Sequence, residues 1–86
     1  MPKPKPSTGE KNLISHRLIA LRRQHNMSQR LLAYRLQLNG YDIDKNVITR
    51  IETNKRYVTD VELKALTEIF HVSYEYLIEG KEEEKP

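Results

Sequence analysis

The apolar residues of the chain recur at helical spacing in five segments that are separated by short polar stretches. In the first segment Ile14, Leu18 and Leu21 follow one another at steps of four and three residues, which places them on one side of a helix. The segment starts near residue 12 or 13 and ends at residue 25, because Asn26 can adopt left-handed backbone angles. The pattern therefore predicts a first amphipathic helix.

The next two segments have recognisable helix ends. The second helix is predicted to start at Ser28, a residue type that caps helix N-termini, and to stop at Gly40, which tolerates a positive φ. The third is predicted to follow Asp44, another capping residue, to span about residues 45–53, and to end before Asn54. The inward-facing residues of these two helices are Leu32, Ala33, Leu36, Val47, Ile48 and Ile51.

The last two segments carry equally clear signals. Thr59 and Glu62 have the spacing of a capping box, which predicts the start of a fourth helix. Ser73 caps a short fifth helix, and Gly80 stops it. The apolar residues that line these helices are Leu63, Leu66, Ile69, Phe70, Leu77 and Ile78. The sequence therefore predicts an all-α fold of five helices in one domain, residues 12–80.

The amino-acid composition excludes several classes of protein. With 86 residues and 37% hydrophobic content, the chain can form one small core. It has no cysteine, so disulfide frameworks and zinc–cysteine sites are excluded, and we find neither a signal peptide nor a long apolar run. We therefore expect a cytoplasmic protein.

The two flanks differ from the domain. Residues 1–11 alternate prolines with lysines and predict an extended or disordered basic arm, which either touches a DNA groove or backbone or is a loose tail; we favour the loose tail. Residues 81–86 form a charged tail that we expect to be disordered.

No constellation of catalytic or metal-ligating residues is evident. His16, His25 and His71 lie in different predicted elements without metal-ligand spacing. The serines stand at helix caps, and no glycine-rich phosphate loop is present. We therefore expect no enzyme, no metal, no cofactor and no small-molecule ligand.

The charges are distributed unevenly. The net charge of +3 and the pI of about 9.3 are mildly basic, but the charges from Arg17 to Arg56 are mostly Lys and Arg, whereas acids prevail after Asp60. One end of the molecule is therefore expected to be positive. On the third helix the outward side carries hydrogen-bond donors and almost no acid, which suits contacts with phosphates and base edges.

Five short pieces of sequence together resemble a known family. The pieces are RLIALR, MSQ, LLA, VITRIETNKR and HVSYEYLIEG, in this order and close to the family spacing. They resemble the phage-repressor-like (Cro/CI, Xre) helix-turn-helix DNA-binding family over roughly residues 13–80. In one respect the chain differs: from Ala33 to Ile48 it runs about five residues longer than the usual turn, with LQLNGYDID in place of a tight glycine turn.

The resemblance implies a lambda-repressor-like DNA-binding domain whose helix-turn-helix consists of the second and third helices. It also implies a transcriptional regulator, a repressor from a bacterium or phage, that binds double-stranded DNA. The operator would be an inverted repeat bound by a homodimer, which forms mainly on DNA. An alternative within the same fold is a protein-interaction module, such as an antitoxin or an adaptor, for which DNA contact is secondary.

Two groups of residues are candidate DNA contacts. The base contacts are predicted on the outward side of the third helix, at Lys45, Asn46, Thr49 and Arg50. Asn suits adenine, and Arg or Lys suits guanine. The backbone contacts are predicted at the start of the second helix and after the third, at Ser28, Gln29, Thr53, Lys55 and Arg56. Free N–H groups at a helix N-terminus and clustered cations both bind phosphate.

Two further sets of residues complete the prediction. The resemblance places Arg22 against Glu52 in a partly buried ion pair between the first and third helices. The fifth helix is dense in apolar and aromatic residues for its length, so Tyr74, Tyr76 and Leu77 are candidates for a dimer interface. The alternative for the tyrosines is packing in the core of a small domain.

Overall fold

The computed structural model describes residues 10–81, which contain five helices joined by short turns. Their bounds are α1 Ser15–Gln24, α2 Gln29–Leu38, α3 Lys45–Glu52, α4 Asp60–Phe70 and α5 Tyr74–Glu79. The prediction of an all-α fold with five helices is thereby confirmed. Most of the predicted basic arm and of the charged tail lies outside the described residues.

Side-chain caps start four of the helices, as the sequence predicted. The side chains of Ser28, Asp44 and Ser73 each accept a hydrogen bond from the backbone N–H three residues further on. Thr59 and Glu62 form a complete capping box at the start of α4. Each such cap stabilises its helix by about 1 kcal/mol relative to alanine.

Each helix is followed, within two residues, by a residue with positive φ. Asn26 and Asn54 have φ of 55° and 60°, and Gly40 and Gly80 also have positive φ. These four stops were predicted, whereas the left-handed His71 at the end of α4 was not. Asparagine tolerates this region better than most residues, because its short polar side chain can hydrogen-bond locally.

A single core fills the space between the helices. Helix α3 packs against α1 and α2, while α4 packs against α2 and α5. The buried apolar residues come from all five helices and from the turns: Ile14, Leu18, Leu21, Met27, Leu32, Ala33, Leu36, Ile43, Ile48, Ile51, Ala65, Leu66, Phe70 and Leu77. Within residues 10–81, no helix has both the length and the apolar character that crossing a bilayer requires.

The first helix starts later than predicted. It begins at Ser15, and Asn12 instead lies buried outside the helix, where its side-chain oxygen accepts from the N–H of Ile14 at 3.1 Å. Its side-chain nitrogen donates to the carbonyl oxygens of Ile51 and Arg56, both at 3.1 Å. Because asparagine side chains compete with the helix for backbone partners, this residue serves as a bridge between segments.

Asn54 makes the reciprocal connection. Its side-chain oxygen accepts from the backbone N–H groups of Lys11, at 2.7 Å, and Asn12, at 2.9 Å. Its side-chain nitrogen donates to the carbonyl oxygen of Asn12, at 3.3 Å, and to the hydroxyl of Ser15, at 3.1 Å. We call Asn12 and Asn54 with these bonds the asparagine bridge; it fastens the segment before α1 to the end of α3.

The long turn between α2 and α3 is held by one buried side chain and by hydrogen bonds to α2 and α4. Ile43 is buried in the core, and its carbonyl oxygen accepts from the side chain of Gln37 at 3.2 Å. The hydroxyl of Tyr41 donates to the carboxylate of Glu68 on α4. This hydrogen bond raises the pKa of Tyr41, because it stabilises the protonated phenol.

Candidate DNA-binding surface

Helix α3 presents a row of polar side chains to solvent. Lys45, Asn46 and Arg50 are exposed, while Ile48 and Ile51 on the opposite side are fully or almost fully buried. Within residues 10–81, no hydrogen bond or ion pair involves the side chains of the three exposed residues. Their donors and acceptors are therefore available to a partner.

A bidentate ion pair joins this helix to α1. The guanidinium of Arg22 donates to both carboxylate oxygens of Glu52, through Nε at 2.8 Å and through a terminal nitrogen at 3.0 Å. The two side chains are 15% and 5% exposed, so the pair is mostly shielded from water. The hydrogen bond to Glu52 raises the pKa of Arg22 further, although desolvation opposes it. The geometry matches what the resemblance implied.

Gln29 and Thr49 extend this pair into a network. The amide nitrogen of Gln29 donates to Glu52 at 2.9 Å, and its amide oxygen lies 2.9 Å from the hydroxyl of Thr49. An amide nitrogen carries two hydrogens, so one N–H of Gln29 is left for a further acceptor. Local sequence patterns do not predict these contacts, because they join residues that are 20 or more positions apart.

The network changes the interpretation of Thr49. Its hydroxyl lies close to Gln29 and also 3.0 Å from the carbonyl oxygen of Lys45, and its single hydrogen can serve one of them at a time. Thr49 is half-buried, unlike its exposed neighbours on the same side. Its hydroxyl hydrogen is therefore not free to donate to DNA while either of these bonds is made.

The start of α2 lies in the same network. Ser28 is exposed, and its side chain accepts from the N–H of Leu31 at 3.0 Å. The backbone N–H groups in the first turn of a helix have no acceptor within the helix, and they attract anions. The N-terminus of α2 thus has the features that the predicted phosphate contact by Ser28 and Gln29 requires.

The segment after α3 differs in part from the prediction. Thr53 is exposed, and its hydroxyl donates to the carbonyl oxygen of Thr49 at 2.8 Å. Lys55 is exposed as well, but Arg56 forms an ion pair with Glu62 at 2.8 Å and is 26% exposed. Arg56 therefore does not project freely from the surface, because α4 supplies a carboxylate that partly neutralises it.

The fifth helix places its candidate interface residues unequally. Tyr74 is 50% exposed and Tyr76 is half-buried against the core. Leu77 has no exposed surface, because it faces the core. A partner protein cannot contact Leu77 while α5 stays in place, so an interface at this helix would use the two tyrosines without it.

Comparisons with known proteins bear on this arrangement of helices. A model of the helix-turn-helix family matches residues 18–77, which is more than half of the chain and includes α2 and α3 in full. Searches of curated proteins and of solved structures gave no match. In residues 10–81 no group of three His, Cys, Asp or Glu side chains has an arrangement that could hold a metal ion.

Proposed function

Because the chain belongs to the Cro/CI-like helix-turn-helix family of DNA-binding transcription regulators, we propose that it recognises a specific double-stranded DNA sequence and acts as a repressor. In this proposal α3 is the recognition helix and lies in the major groove. The protein works in the cytoplasm of a bacterium, where the nucleoid is accessible.

The observation that carries the proposal is the exposed row of side chains on a firmly held helix. Lys45, Asn46 and Arg50 extend from α3 without internal partners in the described part of the chain. Arg and Lys are suited to the acceptors of guanine and Asn to adenine, and each good pair is worth about 1–3 kcal/mol of discrimination. Thr49 supports them through its methyl group.

Backbone contacts flank this row on both sides. Ser28 and Gln29 offer the N-terminus of α2. The bond from the Gln29 amide to Glu52 orients that amide, and its second N–H is left for a phosphate. Thr53, Lys55 and Arg56 follow α3 and approach the phosphates there. These contacts fix the register of the helix on the duplex without reading its sequence.

The functional unit on DNA is a symmetric dimer in this proposal. One small domain makes few base contacts, and two copies on an inverted repeat double them. Helix α5 carries the exposed Tyr74 and the partly exposed Tyr76, and aromatic residues are enriched in protein interfaces. Such an interface is small, so the free protein is mostly monomeric and dimerises on its operator.

Selection of bound sites from random DNA tests the proposal directly. We expect enrichment of an inverted repeat with half-site centres about 34 Å apart, and a steep dependence of affinity on salt. A weak interaction that is seen at low salt and is indifferent to sequence would instead favour the protein-interaction module. Affinity chromatography with the purified chain would then identify its protein partner.

A spacing change tests the dimer. Five base pairs inserted between the half-sites rotate one of them to the opposite side of the duplex, because B-DNA has about 10 base pairs per turn. We expect a loss of affinity to the level of a single half-site. An unchanged affinity together with one protein bound per site would reject the dimer.

A further inference from the structure

A cationic groove lies where the segment before α1 meets the end of α3. It has a volume of about 260 Å³ and is lined by Lys11, Arg50, Lys55, Arg56 and Tyr57. Four of its five lining residues carry a positive charge, and the nearby carboxylate of Glu62 pairs with one of them, Arg56. The groove therefore has excess positive charge and attracts an anion.

We infer that this groove holds one phosphate of the DNA backbone, that Lys11 is a further contact to it, and that Asn54 positions Lys11. The inference rests on the proposed function and deepens it. Lys11 precedes the first helix, outside the helix-turn-helix, and it lines the same groove as Lys55.

The asparagine bridge explains how Lys11 comes to lie in the groove. The backbone N–H of Lys11 donates to the side-chain oxygen of Asn54 at 2.7 Å, and the backbone N–H of Asn12 donates to the same oxygen at 2.9 Å. Asn12 in turn donates to the carbonyl oxygen of Arg56 at 3.1 Å. The backbone of Lys11 is thus tied to the end of α3, while its side chain is exposed.

The position of the groove fits a phosphate that flanks the reading helix. Arg50 belongs both to the exposed row of α3 and to the wall of the groove, so the groove adjoins the proposed base contacts. A phosphate bound there lets Lys11 and Lys55 neutralise the same stretch of backbone. Each cation that neutralises a phosphate releases a counterion and steepens the salt dependence of binding.

The salt dependence of binding to a mixed-sequence duplex measures this contact. For Lys11→Ala we expect the slope of log K against log salt to flatten by about 0.9, so that affinity falls roughly 3.5-fold less between 50 and 200 mM salt. Lys64→Ala, which removes an exposed lysine of α4 outside the groove, is the matched control and leaves the slope unchanged.

A second variant tests the positioning role of Asn54. Asn54→Gly removes the side chain but keeps a residue that adopts positive φ freely. We expect it to flatten the slope as Lys11→Ala does, and the double variant to flatten it no further. Circular dichroism and thermal unfolding identify a variant that does not fold, in which case Lys11→Ala alone decides.

Methylphosphonate substitution locates the phosphate. On the selected operator, neutralising the linkage bound in the groove weakens the wild-type protein and has a smaller effect on Lys11→Ala. If Lys11→Ala matches the Lys64→Ala control in slope and in methylphosphonate profile, the inference is wrong while the proposed function stands. If the wild-type protein binds no duplex at any salt concentration, both are wrong.

Discussion

The two ends of helix α3 are held by different kinds of contact. At its C-terminal end Asn12 and Asn54 connect it to residues about 40 positions earlier in the chain, through six hydrogen bonds. At its N-terminal end the Asp44 cap and the Gln37 bond to Ile43 are local contacts. The C-terminal end is thus fixed by tertiary structure, whereas the N-terminal end depends on the turn before it.

This difference bears on the long turn, which we expected from the family resemblance to be about five residues longer than usual. Extra residues between α2 and α3 alter the path into α3, but they lie away from the contacts that hold its C-terminal end. Glu52 is bound by Arg22 and Gln29, and Asn54 belongs to the asparagine bridge. The helix therefore keeps its place on the domain while its first turn tolerates a longer connection.

Removal of Glu52 is expected to have the largest effect on stability. Glu52→Ala strands the partly buried guanidinium of Arg22, and we expect the free energy of unfolding to fall by at most about 3–5 kcal/mol, the cost of breaking a fully buried pair, and by less to the extent that water reaches the guanidinium. Chemical denaturation measures this loss. The exposed pair of Lys81 and Glu79 is the control, and Glu79→Ala is expected to cost less than about 1 kcal/mol.

A double-mutant cycle sharpens this test. Arg22→Ala, Glu52→Ala and the double variant are expected to give a coupling energy above the value of about 0.2–1 kcal/mol that is typical of exposed pairs. Additive effects of the two substitutions would show that the pair does not hold α3 to α1.

The asparagine bridge supplies the next largest effect. Asn12→Ala leaves the carbonyl oxygens of Ile51 and Arg56 without their side-chain donor, and we expect a loss of about 1–3 kcal/mol in the free energy of unfolding. Asp44→Ala removes the cap at the other end and is expected to cost about 1 kcal/mol. A greater loss for Asp44→Ala than for Asn12→Ala would reverse the comparison between the two ends.

The proposed base contacts should change specificity without changing stability. Alanine at Lys45, Asn46 or Arg50 is expected to relax the preference at one or two base pairs per half-site, with about 1–3 kcal/mol of discrimination lost. Because these side chains are exposed, the midpoint temperature of thermal unfolding is expected to stay nearly constant. Site selection with each variant measures the preference. An identical selected motif for all three variants would remove α3 from the reading of bases.

The smallest expected effect concerns Tyr41 in the long turn. Its hydrogen bond to Glu68 raises its pKa above the ordinary value of 10.0. The bond therefore contributes below pH 10 and is lost as the pH rises through the raised pKa of the folded state. The tyrosinate absorbance of Tyr41 is the part of the signal that is lost in the Tyr41→Phe variant. We expect this part to appear at lower pH in Glu68→Ala than in the wild-type protein. An identical titration midpoint in the two proteins would contradict this.

The sequence predicted the helices because their signals are local. Caps such as Ser28 and Asp44, stops such as Asn26, and apolar spacing all lie within one or two turns of the residues they affect. The predicted start of α1 was wrong because Asn12 is engaged by Ile51 in α3 and by Arg56 after it. Its partners are far away in the chain, and no local pattern reveals them.

The candidate site was predictable to a similar extent. Which residues of α3 face outward follows from helical spacing, and the exposure of Lys45, Asn46 and Arg50 agrees with it. The internal engagement of Gln29 and Arg56 could not be derived, since it depends on how α3 and α4 pack. The Arg22–Glu52 contact came from the family resemblance, because spacing alone does not bring these two residues together.

The freedom of three side chains on α3 has a consequence for how such a protein evolves. Within the described residues the side chains of Lys45, Asn46 and Arg50 make no hydrogen bond or ion pair, so their substitution leaves the packing of the core unchanged. Under the proposed function, one copy of a duplicated gene can acquire a new target sequence by successive changes at these positions, and every intermediate still folds. Selection then acts on which promoter is bound, while Glu52 and the two bridging asparagines keep the scaffold constant.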